Sequence, residues 1–494
     1  MLDRRSQPPA AMAATGPRLT RRAALGGAAA MAAWHGVGAA ATVDGDTAQG
    51  WSDAATIRAR IRPPVFPRAN RFTPQQFGGV PDGRTLATEA LRRAIEAAAR
   101  APGGGRVVIE GGVWLTGPIH LRSNVELHVA RDAVLRFARD PALYFPPVLT
   151  RMEGNELMGI SPFIYALDCE NVAITGHGVL DGQADPDHWW HWAHAPADGS
   201  ESSGRMLKRM AEQGVPVARR VFGPGSTIRP QFIQPYRCRN VLIEGVTIVR
   251  SPMWEIHPVE CENVTVRGVT ISSHGPNNDG CDPESCRDVL IEDCTFDTGD
   301  DCIAIKSGRN ADGRRLRRPT ENVVISGCTM IDGHGGVTLG SEITGGVRNV
   351  FVENCRMDSP RLNTAIRFKN NAARGGTLEN IHVRDVTVGQ VARAAVTIDY
   401  NYGEGANGRF TPVFRGLTID RMLVGRCERV LDLQGFANAP IRDVLLRDCA
   451  IVRAAEPDIV AHVENLRYDR VRRNGQAVPG PTPGGVVVPA DRSG

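Results

Sequence analysis

Two adjacent carboxylates, Asp300 and Asp301, open a short segment whose apolar beats, Ile303 and Ile305, read as a strand. Like charges so close cannot both be buried and ionised cheaply. Asp279 lies 21 residues before Asp300 (300 − 279), and His334 lies 34 after it (334 − 300). Arg367 and Lys369 follow His334 by 33 and 35 residues. Crowded carboxylates push their pKa values apart, so one stays protonated while another remains a base, and they titrate as a unit. That is the apparatus for cleaving a glycosidic bond: one acid protonates the leaving oxygen and another carboxylate activates water. Arg367 and Lys369 are two apart, so on a strand they point the same way and form a cationic slot suited to a substrate carboxylate.

Each residue alone has a plainer reading. Asp279 sits in turn chemistry, "NNDG". Asp300 and Asp301 could bind Ca²⁺ or cap a turn. His334 between glycines could be a solvated turn residue, and Arg367 and Lys369 an ordinary solvated face. Their joint spacing decides for a site, and the elements that carry them show why.

From residue 120 onward one pattern returns: Asn or Asp, apolar, any, apolar, any, then a turn residue and a second apolar beat. "CRNVLIEGVTI", "CENVTVRGVTI", "CRDVLIEDCTF" and "VRNVFVENCRM" are copies. The anchors Asn240, Asn263, Asp288, Asn322, Asn349 and Asn380 are separated by 23, 25, 34, 27 and 31 residues. Each unit holds two short alternating strands and cannot bury its apolar face alone, so units stack. The reading is all-β: a right-handed parallel β-helix with an N-terminal capping helix. A leucine-rich horseshoe lacks support because its leucine spacing is absent. Asp300 and His334 both fall 12 residues after their anchors (300 − 288, 334 − 322), on one face one rung apart. Asp279 (279 − 263 = 16) and Arg367 (367 − 349 = 18) need extra turn residues to join them.

Eleven cysteines follow the same register. Cys169, Cys238, Cys261 and Cys286 precede anchors by two residues, and Cys294, Cys328, Cys355 and Cys449 follow anchors by six. Ladders of buried thiols are favoured over disulfides. Cys281 and Cys302 lie outside both ladders, a Cys281–Cys286 pair stays open, and Cys427 is unassigned.

The chain divides into an export leader at 1–41, a linker at 42–70, the β-helix at 71–473 and a disordered tail at 474–494. Arg21 and Arg22 before an Ala-rich run indicate the twin-arginine route; an ordinary secretory leader is the alternative. The run is too short and weakly apolar to span a bilayer. The leader carries Arg4, Arg5, Arg18, Arg21 and Arg22 against Asp3, so its +4 accounts for the whole chain's +4. The mature protein is near neutral, which excludes a nucleic-acid footprint. Ala90, Leu91, Ala94, Ile95 and Ala98 form the stripe of the capping helix. Residues 183–229 interrupt the repeat, and so long a loop reads as functional.

The chain resembles glycoside hydrolase family 28, the polygalacturonases and their relatives. The resemblance rests on Asn277-Asn278-Asp279, Asp300-Asp301, Gly333-His334-Gly335 and Arg367-Phe368-Lys369, standing in the order of that family's four motifs. The middle residues of the first and last motifs depart from the family's Thr and Ile. The resemblance covers about residues 72–470 and implies an inverting hydrolase of α-1,4-linked galacturonic acid, with an exo-acting lean. It implies Asp300 as general acid, Asp279 and Asp301 as activators of water, and His334 as tuner of the acid. It also implies Arg367 and Lys369 as ligands of the substrate carboxylate, with Asn277, Lys306, His257 and Tyr402 as further substrate contacts. Trp254 is read as either cleft or core. The expected partner is an acidic polysaccharide or oligosaccharide such as pectin or polygalacturonate. No nucleic acid, membrane, cofactor or metal is expected, and the mature protein is read as a periplasmic or secreted monomer. A decorated-pectin hydrolase, a Ca²⁺-dependent pectate lyase and a non-catalytic adhesin are the rivals.

Overall fold

A computed structural model describes residues 45–194 and 201–479. The leader at 1–41 and the last part of the tail, 480–494, lie outside the described residues.

The repeat folds as its alternation demands. Three parallel faces wind into a right-handed β-helix, with sheets of 13 and 14 strands on two of them. The third face begins with Ile119–His120, Ile164–Leu167 and Ile233–Tyr236. It continues through single bridges from Ile233 to Ile256, Cys281 and Ile303. It ends in a six-stranded parallel sheet: β1 Ile303–Ile305, β2 Gly335–Leu339, β3 Thr364–Lys369, β4 Ala394–Asp399, β5 Arg429–Gln434 and β6 Ile459–Ala461. Ile303, Val337, Ile366, Val396 and Leu431 stand in one register and are buried in the interior. Stacking, rather than any one rung, makes the core.

The recurring Asn or Asp has a physical cause. Asn240, Asn263, Asp288, Asn322, Asn349 and Asn380 all take φ between 56° and 60°, the left-handed region that Asn and Asp tolerate. Their side chains bond rung to rung, Asn263 Nδ2 to Asn240 Oδ1 at 2.6 Å and Asn349 Nδ2 to Asn322 Oδ1 at 2.9 Å. Each anchor therefore turns the chain and ties it to its neighbour.

The thiol ladders are present. All eleven cysteines are buried and unpaired as disulfides, Cys281 and Cys286 included. Backbone N–H groups of Cys238 and Cys261 donate to the next sulfur, Cys261 Sγ and Cys286 Sγ, each at 3.4 Å.

Two expected boundaries shift. Within the expected linker, Gly45–Arg60 forms helix α1. Its Ala54 and Ile57, with Ile61 just beyond, are buried against Leu290, Val324 and Phe351, apolar residues on the outward face of one sheet. The helix forms because that face would otherwise be exposed hydrocarbon. In the expected tail, Gln476–Ala477 pairs antiparallel with Arg472–Arg473. Helix α2, Thr88–Arg100, buries Ala90, Leu91, Ala94, Ile95 and Ala98 as the stripe predicts and joins the main core at its N-terminal end.

Candidate active site

β1 begins just after Asp301, and the acidic residues sit where the rungs leave the sheet. Gly280 N donates to Asp301 O at 3.0 Å, which aligns the Asp279 and Asp301 rungs. The extra turn residues that Asp279 needs are residues 274–278. Asn278 locks that turn: its Oδ1 accepts from Ser273 Oγ and Gly275 N, both at 2.7 Å. Its Nδ2 donates to Ser251 O and Met253 O at 3.1 and 3.2 Å. Asn278 is fully buried and fully satisfied, which accounts for a residue other than Thr at that position. Phe368, the other departure, points inward and packs edge-on to Phe414 at 4.9 Å.

Asp279, Asp300 and Asp301 each bring one oxygen within 4.8 Å of the others. His334 N donates to Asp300 O at 3.0 Å, and His334 Nδ1 lies 2.9 Å from Asp300 Oδ1. A Cβ on Gly335 would stand 2.2 Å from Thr338 Oγ1 and 2.9 Å from Asp301 Oδ1, so no side chain fits there. Asp301 is fully buried and accepts from Lys369 Nζ at 2.6 Å, Thr338 Oγ1 at 3.0 Å and Arg367 Nη1 at 3.4 Å. Arg367 and Lys369 do share a face, and both also contact Asp301 within the protein, the Arg367 side chain remaining 23% exposed.

Lys306 is likewise engaged. Its ammonium is 3.2 Å from Asp279 Oδ2, 3.4 Å from Asp282 Oδ1 and 3.5 Å from Glu342 Oε2, and 4.1 Å from the centre of the Trp254 ring. Burial opposes its charge, yet the carboxylates win and hold its pKa well above the ordinary value.

The crowding does raise one carboxyl, Asp279 rather than Asp300. Burial comes first and the Asp300 charge second, and together they lift Asp279 to about 7 despite Lys306. For Asp300, burial is outweighed by the His334 hydrogen bond and the Lys369 charge, which hold it at about 2. The same contact raises His334. The side chain of Asp300 is 19% exposed, against 4% for Asp279 and 0% for Asp301, so Asp300 is the member that faces a substrate.

A pocket of about 260 Å³ lies over this cluster. It is lined by Trp254, Asn277, Asp279, Asp300, Lys306, Lys369 and Tyr402, and also by Glu153, Arg309, Ser341, Glu342, Arg374, Gly403 and Glu404. Tyr402 lies with its ring centre 5.2 Å from Lys369 Nζ. The second group was missed because those residues follow no anchor register; the "RGG" at Arg374 and the "YGEG" around Glu404 are the only local cues. His257 does not reach the pocket. It is fully buried behind Trp254, where Nδ1 accepts from Gln234 Nε2 at 3.0 Å and Nε2 donates to Glu284 Oε2 at 2.8 Å. Burial lowers its pKa and keeps it neutral in that role.

The insertion borders the pocket. Helix α3, Ser203–Glu212, carries Lys208, which pairs with the lining residue Glu153. Arg220 is buried on Asp312 at 3.0 Å, and Arg229 Nη2 donates to Asn277 Oδ1 at 2.5 Å.

Two sets of groups are spaced to share a divalent ion: the three active carboxylates, and His274 with Asp297 and Asp332. In both sets cations of the chain already approach, Lys369 at Asp301 and Arg361 Nε at Asp332, the latter at 2.7 Å. No helix among the described residues is long and apolar enough to cross a membrane.

Comparison with known proteins agrees with this geometry. Residues 223–424 match the sequence profile of the glycosyl hydrolases family 28. The chain is 30% identical over 405 residues to a probable polygalacturonase of Vitis vinifera, covering 79% of this chain and 76% of that one. It is 26% identical over 366 residues to an exo-poly-alpha-D-galacturonosidase of Dickeya chrysanthemi, covering 68% and 58%. The crystal structure of a hyperthermoactive exopolygalacturonase from Thermotoga maritima superposes with a TM-score of 0.84 at 43% identity, covering 89% of this chain and 99% of that one.

Proposed function

Because this chain belongs to family 28 of the glycosyl hydrolases, we propose that it hydrolyses α-1,4-galacturonosidic bonds of pectin from the chain end, as an inverting exo-polygalacturonase. The observation that carries this is the carboxylate trio at one face of a pocket whose other lining residues include four cations, Lys306, Arg309, Lys369 and Arg374.

Below about pH 7 Asp279 carries a proton, because its pKa is lifted to about 7. Asp300, the most exposed member, takes that proton and passes it to the leaving glycosidic oxygen. Asp279, now ionised, and Asp301 orient a water on the opposite side of the anomeric carbon. The water's oxygen bonds to that carbon, and its proton returns to Asp279, so the site ends as it began. His334 steadies the Asp300 carboxylate in the charged half of the cycle.

Two carboxyls alone at such a distance match a retaining pair, about 5–5.5 Å apart, better than an inverting one, about 6.5–9.5 Å. The third carboxylate changes the count, because Asp279 and Asp301 together hold the water that a lone partner needs more room to admit. Proton NMR of the first product tests this. The β-anomer appearing before mutarotation supports inversion; the α-anomer first rules it out.

The insertion, tied to the pocket through Glu153 and Asn277, supports the chain-end reading by walling one end of the cleft. The same reading includes export through the twin-arginine leader at 1–41, with folding in a reducing compartment. The buried, unpaired cysteines are what that route would leave. A periplasmic or secreted monomer acting on plant cell-wall pectin completes the proposal.

A further inference from the structure

Every sugar of the proposed substrate carries a carboxylate, and the cations first expected to meet it also hold acids of the protein. Lys369 and Arg367 contact Asp301 at 2.6 and 3.4 Å, and Lys306 contacts three carboxylates. Among the described residues, the remaining cations that line the pocket are Arg309 and Arg374. They converge. Arg309 Nη2 and Arg374 Nη1 donate to one oxygen, Glu404 Oε1, at 3.1 and 3.0 Å.

Their other contacts anchor them. Arg309 Nη1 donates to Glu342 Oε1 at 3.4 Å, and Arg374 Nη1 also donates to Asn310 Oδ1 at 3.0 Å. Arg374 is 2% exposed, and its Nε–H is buried with no hydrogen-bond partner. Glu404 is the most exposed carboxylate of the pocket, its side chain 36% exposed, on the turn that follows β4. The arrangement thus displays a carboxylate held between two guanidinium groups, one of which keeps a donor in reserve. Guanidinium–carboxylate pairing is planar and directional, so such a pair selects a carboxylate over a hydroxymethyl or an ester.

We propose that Arg309 and Arg374 are the clamp that recognises the terminal uronate, and that the sugar's carboxylate exchanges with Glu404 for them. This rests on the polygalacturonase reading above. Exchange of one carboxylate for another leaves neither arginine unpaired, so it avoids the penalty of an unsatisfied buried donor. A neutral sugar offers no such exchange and leaves Glu404 in place.

Calorimetric titration of the full chain with galacturonic acid and with galactose tests the clamp. The wild type binds galacturonic acid at least tenfold more tightly than galactose. Arg374→Met and Arg309→Met each erase most of that preference, and Glu404→Gln tightens galacturonic acid about threefold or more by removing the internal competitor. Arg309, with a 15% exposed side chain, keeps the test open if Arg374→Met fails to fold. Equal binding of the two sugars by the wild type overturns the proposal. So does a Glu404→Gln variant as weak as the arginine variants, because Glu404 would then be scaffold alone. Hydrolysis of trigalacturonate, run alongside, separates the two claims. A wild type that hydrolyses while both arginine variants keep its KM sinks the clamp only; a wild type that prefers galacturonic acid through the arginines but cleaves nothing sinks the hydrolase reading only.

Discussion

Asp279→Asn should flatten the dependence of folding stability on pH, and the size of the effect follows from the site. In the folded protein burial and Asp300 lift Asp279 from 3.8 to about 7. Between those two values the native state binds a proton that the unfolded chain has already lost. Stability from this group is therefore fully present below pH 3.8 and is lost as pH rises through about 7. The interval, 7 − 3.8, at ~1.4 kcal/mol per pH unit, comes to about 4 kcal/mol. The asparagine variant lacks this loss. Denaturant unfolding of wild type and variant at several points from pH 3.5 to pH 8.5, with the m-value monitored, gives their stability difference directly. That difference should shift by about 4 kcal/mol in the variant's favour across the range. Parallel curves would refute the claim that Asp279 is the seat of the cluster's proton. A shift of opposite sign would mean that Lys306 outweighs burial and that Asp279 is ionised throughout.

Four groups of residues give sharper expectations for activity and stability. Asp300→Asn should lower kcat by ~10²–10⁴-fold while leaving the melting temperature near that of wild type, since it removes the proton donor and keeps the shape. The wild-type rate should fall as pH rises through about 7, where the trio loses its proton. His334→Ala removes the hydrogen bond that holds Asp300 at about 2, so the low-pH limb of kcat should move upward, toward the ordinary carboxylate value. Ile57→Ala in helix α1 should cost ~2–5 kcal/mol in denaturant unfolding, as the loss of a buried aliphatic chain against Leu290 and Phe351.

What the sequence made legible was what repeats. The anchors, the capping stripe and the cysteine ladders recur in register, and a stacked fold converts register into position. Asp300 and His334 were found at equal phase for that reason, and they touch. Asp279 and Arg367 required unequal turns, and the turn residues do bring them to the same cluster. The partners of Arg367, Lys369 and Lys306 within the protein were not legible because a strand pattern gives a side chain's face but not its charge partner. His257 lies three residues past Trp254 on a segment that dips behind the pocket, and only the rung-to-rung bridges reveal this. Helix α1 was taken for a linker because its partner surface, Leu290, Val324 and Phe351, is assembled from three consecutive rungs whose residues lie far apart in sequence. Leu290 and Phe351 each stand at an outward beat between two inward ones, and that apolar outward row was the available signal. Arg309, Arg374 and Glu404 come from turns between rungs, where no period constrains the chain.

The central claim is that this site releases single galacturonate units by hydrolysis. The most direct measurement is a time course of the protein lacking residues 1–41 on polygalacturonic acid, with chelator present and products resolved by size. Monomer from the earliest point, saturated and without ultraviolet absorbance, is the predicted result. Mixed oligomers from the start would contradict the chain-end wall, unsaturated products or dependence on a divalent ion would contradict acid-catalysed hydrolysis, and no product at all would contradict polygalacturonate as the substrate.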